Sequence, residues 1–295
     1  MRQNVWRWLC GAGVVAAAGA VAGSQGVASA TPSGSVGSAS TSSTVAIASS
    51  TVASASSSFV SRTSVTAATA YKPPSRPLRF GQSGPAVRSV QSRLKQLHYF
   101  PGPIDGKYGQ DLIEAAWAFR EVQGLPMNNT TGAEPITRTF ERDLVNPRVP
   151  YVLIKRGPAT RIEINLKRQV LVLYKKNQVS LIAHVSSGGG YYFCNPHGGS
   201  CGYAVTPDGN FKALSFQSGW IKVPLGTMYN PIWFDYADGD AIHGDIPAPW
   251  YPASHGCVRV WMDIAGFLHN EITIGGRHAT PVYIRGKAPY ILGPG

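Results

Sequence analysis

The residues best able to do chemistry sit in Ser254-His255-Gly256-Cys257-Val258-Arg259, with a second imidazole upstream at His243. A thiol attacks as its thiolate and titrates near about 8.5 when free, so Cys257 needs a base or a positive field to react at neutral pH. Two histidines are placed to help. His255 stands at i−2, on the same side of an extended chain as Cys257, and His243 ends the apolar pair Ala241-Ile242 just before Gly244, where a side chain leaves a strand towards a pocket. Val260, Ile264, Phe267 and Leu268 fall on one helical face, which predicts a helix starting near Trp261 whose N-terminus would favour a thiolate at Cys257. The amides of Gly256 and Cys257, in the turn before that helix, would face a developing oxyanion. Nucleophile, base and electrostatic stabiliser are the parts of acyl transfer. Arg259 would hold a substrate carboxylate or serve as a structural contact at the helix start.

Four cysteines constrain the compartment. Cys10 lies in residues 1–30, where Arg2 and Arg7 precede an apolar run of about 15 residues and Ala28-Ser29-Ala30 closes it, the pattern of a cleaved secretory signal. The run is short of the roughly 20 residues of a membrane anchor, the other reading. Outside the cytoplasm an odd count of three then leaves one thiol unpaired. Cys194 and Cys201 share a glycine-rich loop and lie within disulfide reach, which makes Cys257 the free one. A metal site at Cys194, His197 and Cys201 is the rival reading, without the paired ligand spacing of zinc sites, so no metal is expected there. His184, His269 and His278, like His197, belong to no motif and read as ordinary surface or loop residues.

The elements that must position these groups follow from periodicity. Ile162, Ile164 and Leu166 alternate with polar residues, residues 169–174 form an apolar run, a Lys-Lys-Asn-Gln turn follows, and residues 179–185 read as another strand. Residues 206–209 turn into a strand near Phe211, and residues 280–285 supply the last one. Many short strands and one helix predict a β-sandwich with a minor helix over residues 151–295. Before it, residues 71–150 carry three helical stripes: Val87, Val90, Leu94 and Leu97; Ala115, Ala116, Phe119 and Val122; and Ile136, Phe140 and Leu144. Residues 31–70 hold 21 Ser or Thr and the single charge Arg62, too little apolar surface to offset ordering entropy, and read as a disordered linker. The net charge of +12, on an exported chain, suits an anionic cell wall rather than nucleic acid, or simply a solvated basic surface.

Two resemblances join these residues. Leu78-Arg79-Phe80-Gly81, Gly84-Pro85-Ala86-Val87, residues 104–109 and Ala116 with Phe119 resemble the three-helix peptidoglycan-binding domain. Ile242-His243-Gly244, Pro252 with Ser254 to Arg259, Thr206-Pro207 with Gly209 and Phe211, and residues 280–284 together resemble the YkuD-type L,D-transpeptidase catalytic domain. The loop of Cys194 and Cys201 looks like an insertion of its actinobacterial members, in keeping with a disulfide. The resemblance implies Cys257 as nucleophile, His243 as base and acid, and His255, Ser254 and Gly256 shaping the site. Only 10 residues separate His243 from Ser254, a short loop that keeps His255 as the alternative base. The implied protein is a secreted cell-wall enzyme that cuts and rejoins peptidoglycan stem peptides through a Cys257 thioester, making 3→3 cross-links without a cofactor and open to acylation by carbapenem-type β-lactams. An L,D-carboxypeptidase with the same site, a secreted Cys-His endopeptidase enlisting His269 or His278, and an inert wall-binding protein are the alternatives.

Overall fold

A computed structural model describes residues 71–99, 102–127, 135–195, 201–246 and 248–289, all within one compact unit. The predicted signal, the linker and His197 lie outside the described residues.

Three helices come first: α1 (Pro85–Gln96), α2 (Gln110–Gln123) and α3 (Arg138–Val145). Each predicted stripe is their shared core, with Val90, Leu94, Phe119, Phe140 and Leu144 fully buried. Gly124, at φ 74, ends α2 in the left-handed conformation that glycine tolerates best. Ile136 belongs to no helix; it bridges Leu78 across the bundle, and Thr137 caps α3 by accepting from the Phe140 amide.

The strands then build a sandwich. β1 (Arg161–Asn165), β2 (Val170–Lys175) and β3 (Gln178–His184) form an antiparallel meander. A disulfide-closed hairpin follows, β4 (Tyr192–Cys194) and β5 (Cys201–Tyr203). Next come β6 (Gly209–Lys212), β7 (Ser215–Phe216), β8 (Trp220–Val223), β9 (Gly226–Asp235), β10 (Asp240–Gly244), β11 (Val258–Val260), α4 (Met262–Leu268) and β12 (Pro281–Arg285). One sheet runs β3-β2-β1-β12-β6 and the other β11-β10-β9-β7, with β8 also on β9. Both are mixed, because β1 pairs with β12 and β10 with β11 in parallel. The fold is a β-sandwich with a minor helix beside a small helical domain. No helix among the described residues is long and apolar enough to cross a membrane.

In the first sheet, β1, β2 and the second half of β3 are buried on both faces. Leu171, Leu173, Leu181 and Ala183 point into the sandwich, while Val170, Val172, Tyr174 and Ile182 pack with the helices. This explains the unbroken apolar run of β2, which a half-solvated strand would alternate. The helices also hydrogen-bond to the sandwich: the His98 carbonyl accepts from the Ile182 amide at 2.8 Å, Asp111 accepts from Trp261 Nε1 at 2.8 Å, and Arg168 Nη1 donates to the Glu121 carbonyl at 2.8 Å.

His184 corrects the sequence reading. It is no surface residue but a buried one, in a 2.8 Å contact through Nδ1 with Glu121 Oε1 and a 3.0 Å contact through Nε2 with the Pro249 carbonyl. Its ring meets Trp117 edge-on at 5.2 Å. A carbonyl only accepts, so Nε2 carries the proton. Burial pushes the imidazole down and the Glu121 carboxyl well up, directions that favour a neutral pair in which Glu121 donates to Nδ1. His269, also expected at the surface, is half-buried and stacks on Phe216 at 4.3 Å, whereas His278 is exposed.

His184→Ala orphans the Glu121 donor and opens a cavity, so urea unfolding is expected to show a loss of about 2–4 kcal/mol. Glu121→Gln keeps a neutral donor at the same reach and is expected to stay within about 1 kcal/mol of the parent; a larger loss would mean the pair is ionic.

Candidate active site

The parallel register of β10 and β11 sets the site. Ile242 pairs with Val258, His243 with Arg259 and Gly244 with Val260. Ile242, Val258 and Val260 face the sandwich core, so by strand alternation His243 and Arg259 face the other way, as does Cys257, two residues before Arg259. All three line one cavity of about 960 Å³, together with Ser254, His255, Gly256, Asp240 and Met228.

Cys257 is the residue immediately before β11, and the predicted helix begins only after that strand, at Met262. Val260 is therefore a strand residue, and the helix N-terminus does not adjoin the thiol. The sulfur lies 3.8 Å from the Gly239 carbonyl, to which it donates, and 4.0 Å from Met228 Sδ. Burial and the Asp240 carboxyl push the thiol up; the Ala241 amide and Arg259 oppose this but do not prevail. The resting group is a thiol.

His243 is 4% exposed. Its Nδ1 donates to the Gly244 carbonyl at 2.9 Å, which leaves Nε2 with a free lone pair. Burial pushes the imidazole down to about 4, despite that bond and the nearby Asp245. At neutral pH the uncharged ring is favoured, so a neutral imidazole and a neutral thiol line the same cavity.

The turn that presents Cys257 is clamped by hydroxyls. Ser254 Oγ donates to the Cys257 carbonyl at 2.5 Å and accepts from the Gly256 amide at 3.2 Å. The Gly256 amide, expected to face an oxyanion, is thus held by Ser254. Thr206 Oγ1 donates to the Gly256 carbonyl at 2.5 Å and accepts from the Gly188 amide at 2.8 Å. Gly256 is needed for space, since a Cβ there would stand 2.5 Å from Asp240 Oδ1. The crossover from β10 to β11 is pinned by the chain after β3. The Ser187 carbonyl accepts from the Ala253 and Ser254 amides, and Ser186 Oγ donates to the Tyr251 carbonyl at 2.7 Å.

The other predicted residues take distinct places. The His255 ring packs edge-on against Phe193 at 4.6 Å and Tyr191 at 5.5 Å, at the foot of the hairpin; burial lowers it as well. Arg259 Nε lies 2.9 Å from Asp245 Oδ2. Cys194 and Cys201 are paired to each other and Cys257 is free. Sequence reasoning missed Asp240 as a site residue and read Thr206 only as part of a turn. The Asp238-Gly239-Asp240 string looks like turn chemistry, and nothing local reveals that its last carboxyl is buried.

Comparisons with known proteins agree with this architecture. A family profile described as the L,D-transpeptidase catalytic domain (YkuD) matches residues 159–284, and one for a peptidoglycan binding domain matches residues 83–129. No curated protein gives a significant match. Among solved structures, an L,D-transpeptidase from Xylanimonas cellulosilytica is 31% identical, covering 72% of this chain and 100% of its own, with a TM-score of 0.62. An L,D-transpeptidase from Stackebrandtia nassauensis is 18% identical over 72% of this chain and 96% of its own, with a TM-score of 0.40. With that first identity spanning the relative's whole length, and the catalytic profile lying across β1 to β12, the chain belongs to the L,D-transpeptidase family.

Proposed function

We propose that the chain is an exported, cysteine-dependent acyltransferase that forms 3→3 cross-links between peptidoglycan stem peptides. The observation that carries this is the placement of Cys257 and His243 on one face of the β10–β11 pair, at one cavity. Cys257 Sγ attacks the carbonyl of the third stem residue while His243 Nε2 takes the thiol proton. The imidazolium then gives that proton to the nitrogen of the departing D-Ala, leaving a thioester on Cys257. An amine of a second stem attacks the thioester and Cys257 leaves with its proton restored. Ser254 acts as a positioning residue by fixing the Cys257 carbonyl, and Arg259 is the candidate for a substrate carboxylate. His255, wedged between aromatic rings, shapes the wall rather than serving as base.

The neutral resting pair suits this chemistry. A thiol held up by burial is protected until a substrate carbonyl arrives, and a lowered imidazole stays unprotonated far below its usual range. The family's peptidoglycan-binding domain, packed directly on the sandwich, supports a wall substrate and an extracytoplasmic location, as does the signal-like start of the sequence. Hydrolysis of the same thioester would yield an L,D-carboxypeptidase.

Mass spectrometry of the mature chain with a disaccharide tetrapeptide is expected to give a thioester and a cross-linked dimer, both lost in Cys257→Ala. Tripeptide alone would establish the carboxypeptidase, and no thioester at all would leave only wall binding. Because His243 must be unprotonated and sits at about 4, the rate of thioester formation is expected to hold from neutral pH down to about pH 4 and fall below it. An acid limb near the ordinary histidine value of about 6.5 would return the base role to an exposed imidazole.

A further inference from the structure

Water and amine attack on the thioester differ in proton balance, and the amine route leaves one proton unassigned. A water molecule that attacks the thioester gives up one proton in the step, and His243 can pass it to the Cys257 sulfur. An alkyl amine arrives as an ammonium, since such groups titrate near about 10.4. It must lose one proton to expose its lone pair and a second as the amide forms. The second proton returns to Cys257 through His243. The first needs another acceptor, and an imidazole that is pushed down by burial cannot hold both.

Asp240 is the group placed to take it. It opens β10 and is 5% exposed. Regular alternation from Ile242 would send Asp240 into the sandwich core, but a register shift between Asp240 and Ala241 breaks the alternation, as β-bulges do beside active sites. The side chain instead lines the cavity with Cys257 and His243. Its Oδ1 and Oδ2 lie 2.5 and 3.0 Å from where a Gly256 Cβ would stand, and only the missing side chain of Gly256 lets the carboxyl approach the turn so closely. Asp240 stands near enough to the Cys257 thiol for its charge to push that group up.

Resting on the transpeptidase reading, the geometry points to Asp240 as the catalytic base for the acceptor: its carboxylate binds the incoming ammonium, accepts one proton and releases a neutral amine beside the thioester. The N–C bond forms, the C–S bond breaks, the second proton passes by His243 to Cys257 Sγ, and Asp240 returns its proton to solvent as product leaves. The surroundings favour this. Burial, then the charges of Asp238, in the β9–β10 turn, and Asp235, on β9, push the Asp240 carboxyl well up; an ammonium arriving beside it favours the carboxylate again, and a carboxylate in that setting accepts a proton more readily than a free one. Besides Cys257, His243, His255 and Tyr203, the cavity is lined by the acids Asp208, Asp238 and Asp245 and the cations Arg259 and Lys287. With Asp240 that is four carboxyls against two cations, one of which, Arg259, is already paired with Asp245. Asp240 would in this way direct the thioester to amines over water.

The test is the partition of the acyl-enzyme, measured as cross-linked dimer over tripeptide and normalised to thioester formed, so that changes in acylation drop out. Asp240→Asn is expected to lower this ratio by about tenfold or more with a stem-peptide ammonium acceptor, in line with the loss of a general base. With hydroxylamine, which is uncharged at neutral pH, its partition is expected to match that of the parent within about twofold. An unchanged ratio with the ammonium acceptor, or an equal loss with hydroxylamine, overturns the proposal. Should the variant give no thioester, the parent alone decides. As the pH is varied, its ammonium-to-hydroxylamine ratio should depart from the free-amine fraction; a ratio tracking the free-amine fraction throughout overturns it. Absence of a thioester in the parent sinks the transpeptidase reading itself, whereas a normal thioester with unchanged partition sinks only the role of Asp240.

Discussion

The parallel pairing of β10 with β11 is the constraint on which the rest depends. One face of the pair, Ile242 with Val258 and Val260, is fully desolvated in the sandwich core. A slip of one residue would bury His243 and Arg259 there and expose three apolar side chains, so the register is fixed by the hydrophobic effect. Once it is fixed, the opposite face must carry His243, Arg259 and Cys257 towards the cavity. A parallel pair also needs a crossover, and here residues 245–257 provide one that holds the Ser-His-Gly-Cys turn at its end. The crossover keeps its shape because the chain following β3 hydrogen-bonds to it at Ser186 and Ser187. Gln169, buried, grips Ser187 in turn, donating to its hydroxyl and accepting from its amide.

Burial sets the chemistry as firmly as it sets the register. A low-dielectric site disfavours thiolate and imidazolium alike, so Cys257 rises and His243 falls. Both shifts disfavour a resting ion pair and favour proton transfer that accompanies attack. The hydrogen bond from His243 Nδ1 to its neighbour's carbonyl then matters more than any charge, because it selects the tautomer whose free nitrogen can accept. Glycine at position 256 serves the same end, admitting a carboxyl to a place that any side chain would fill.

What was legible in the sequence was whatever is local. Helical stripes, the alternation of Ile162 and Ile164, and the Ser-His-Gly-Cys string are read within a dozen residues. Features set by distant partners were not. The β1–β12 and β10–β11 parallel pairs join segments without any local sign of direction, so the expected meander accounts for only part of each sheet. β11 is three residues long, too short to show a period, and the helix was therefore drawn too close to Cys257. Asp240 was missed because a bulge, invisible in sequence, reverses its face. His184 was misread because its burial is decided by α2, more than sixty residues upstream.

That last case bears on how the two parts of the molecule relate. β2 up to Tyr174 and β3 from Leu181 onward have no solvent face: one side closes the sandwich and the other is the floor of the helical domain. Removing the helices would uncover Val170, Val172, Tyr174 and Ile182 together, a continuous apolar patch of the kind that folded monomers rarely leave open. The helical domain is therefore a structural component of the sandwich as well as a module beside it. The contact also reaches the crossover, because His184 joins Glu121 on α2 to the Pro249 carbonyl in the stretch that leads to Ser254. Any shift of α2 that broke the neutral Glu121–His184 bond would leave a buried donor unsatisfied, a cost of about 1–3 kcal/mol. The position of α2 and the course of the chain at Pro249 are thus coupled through one buried pair, and the strength of that link is bounded by the cost of breaking it.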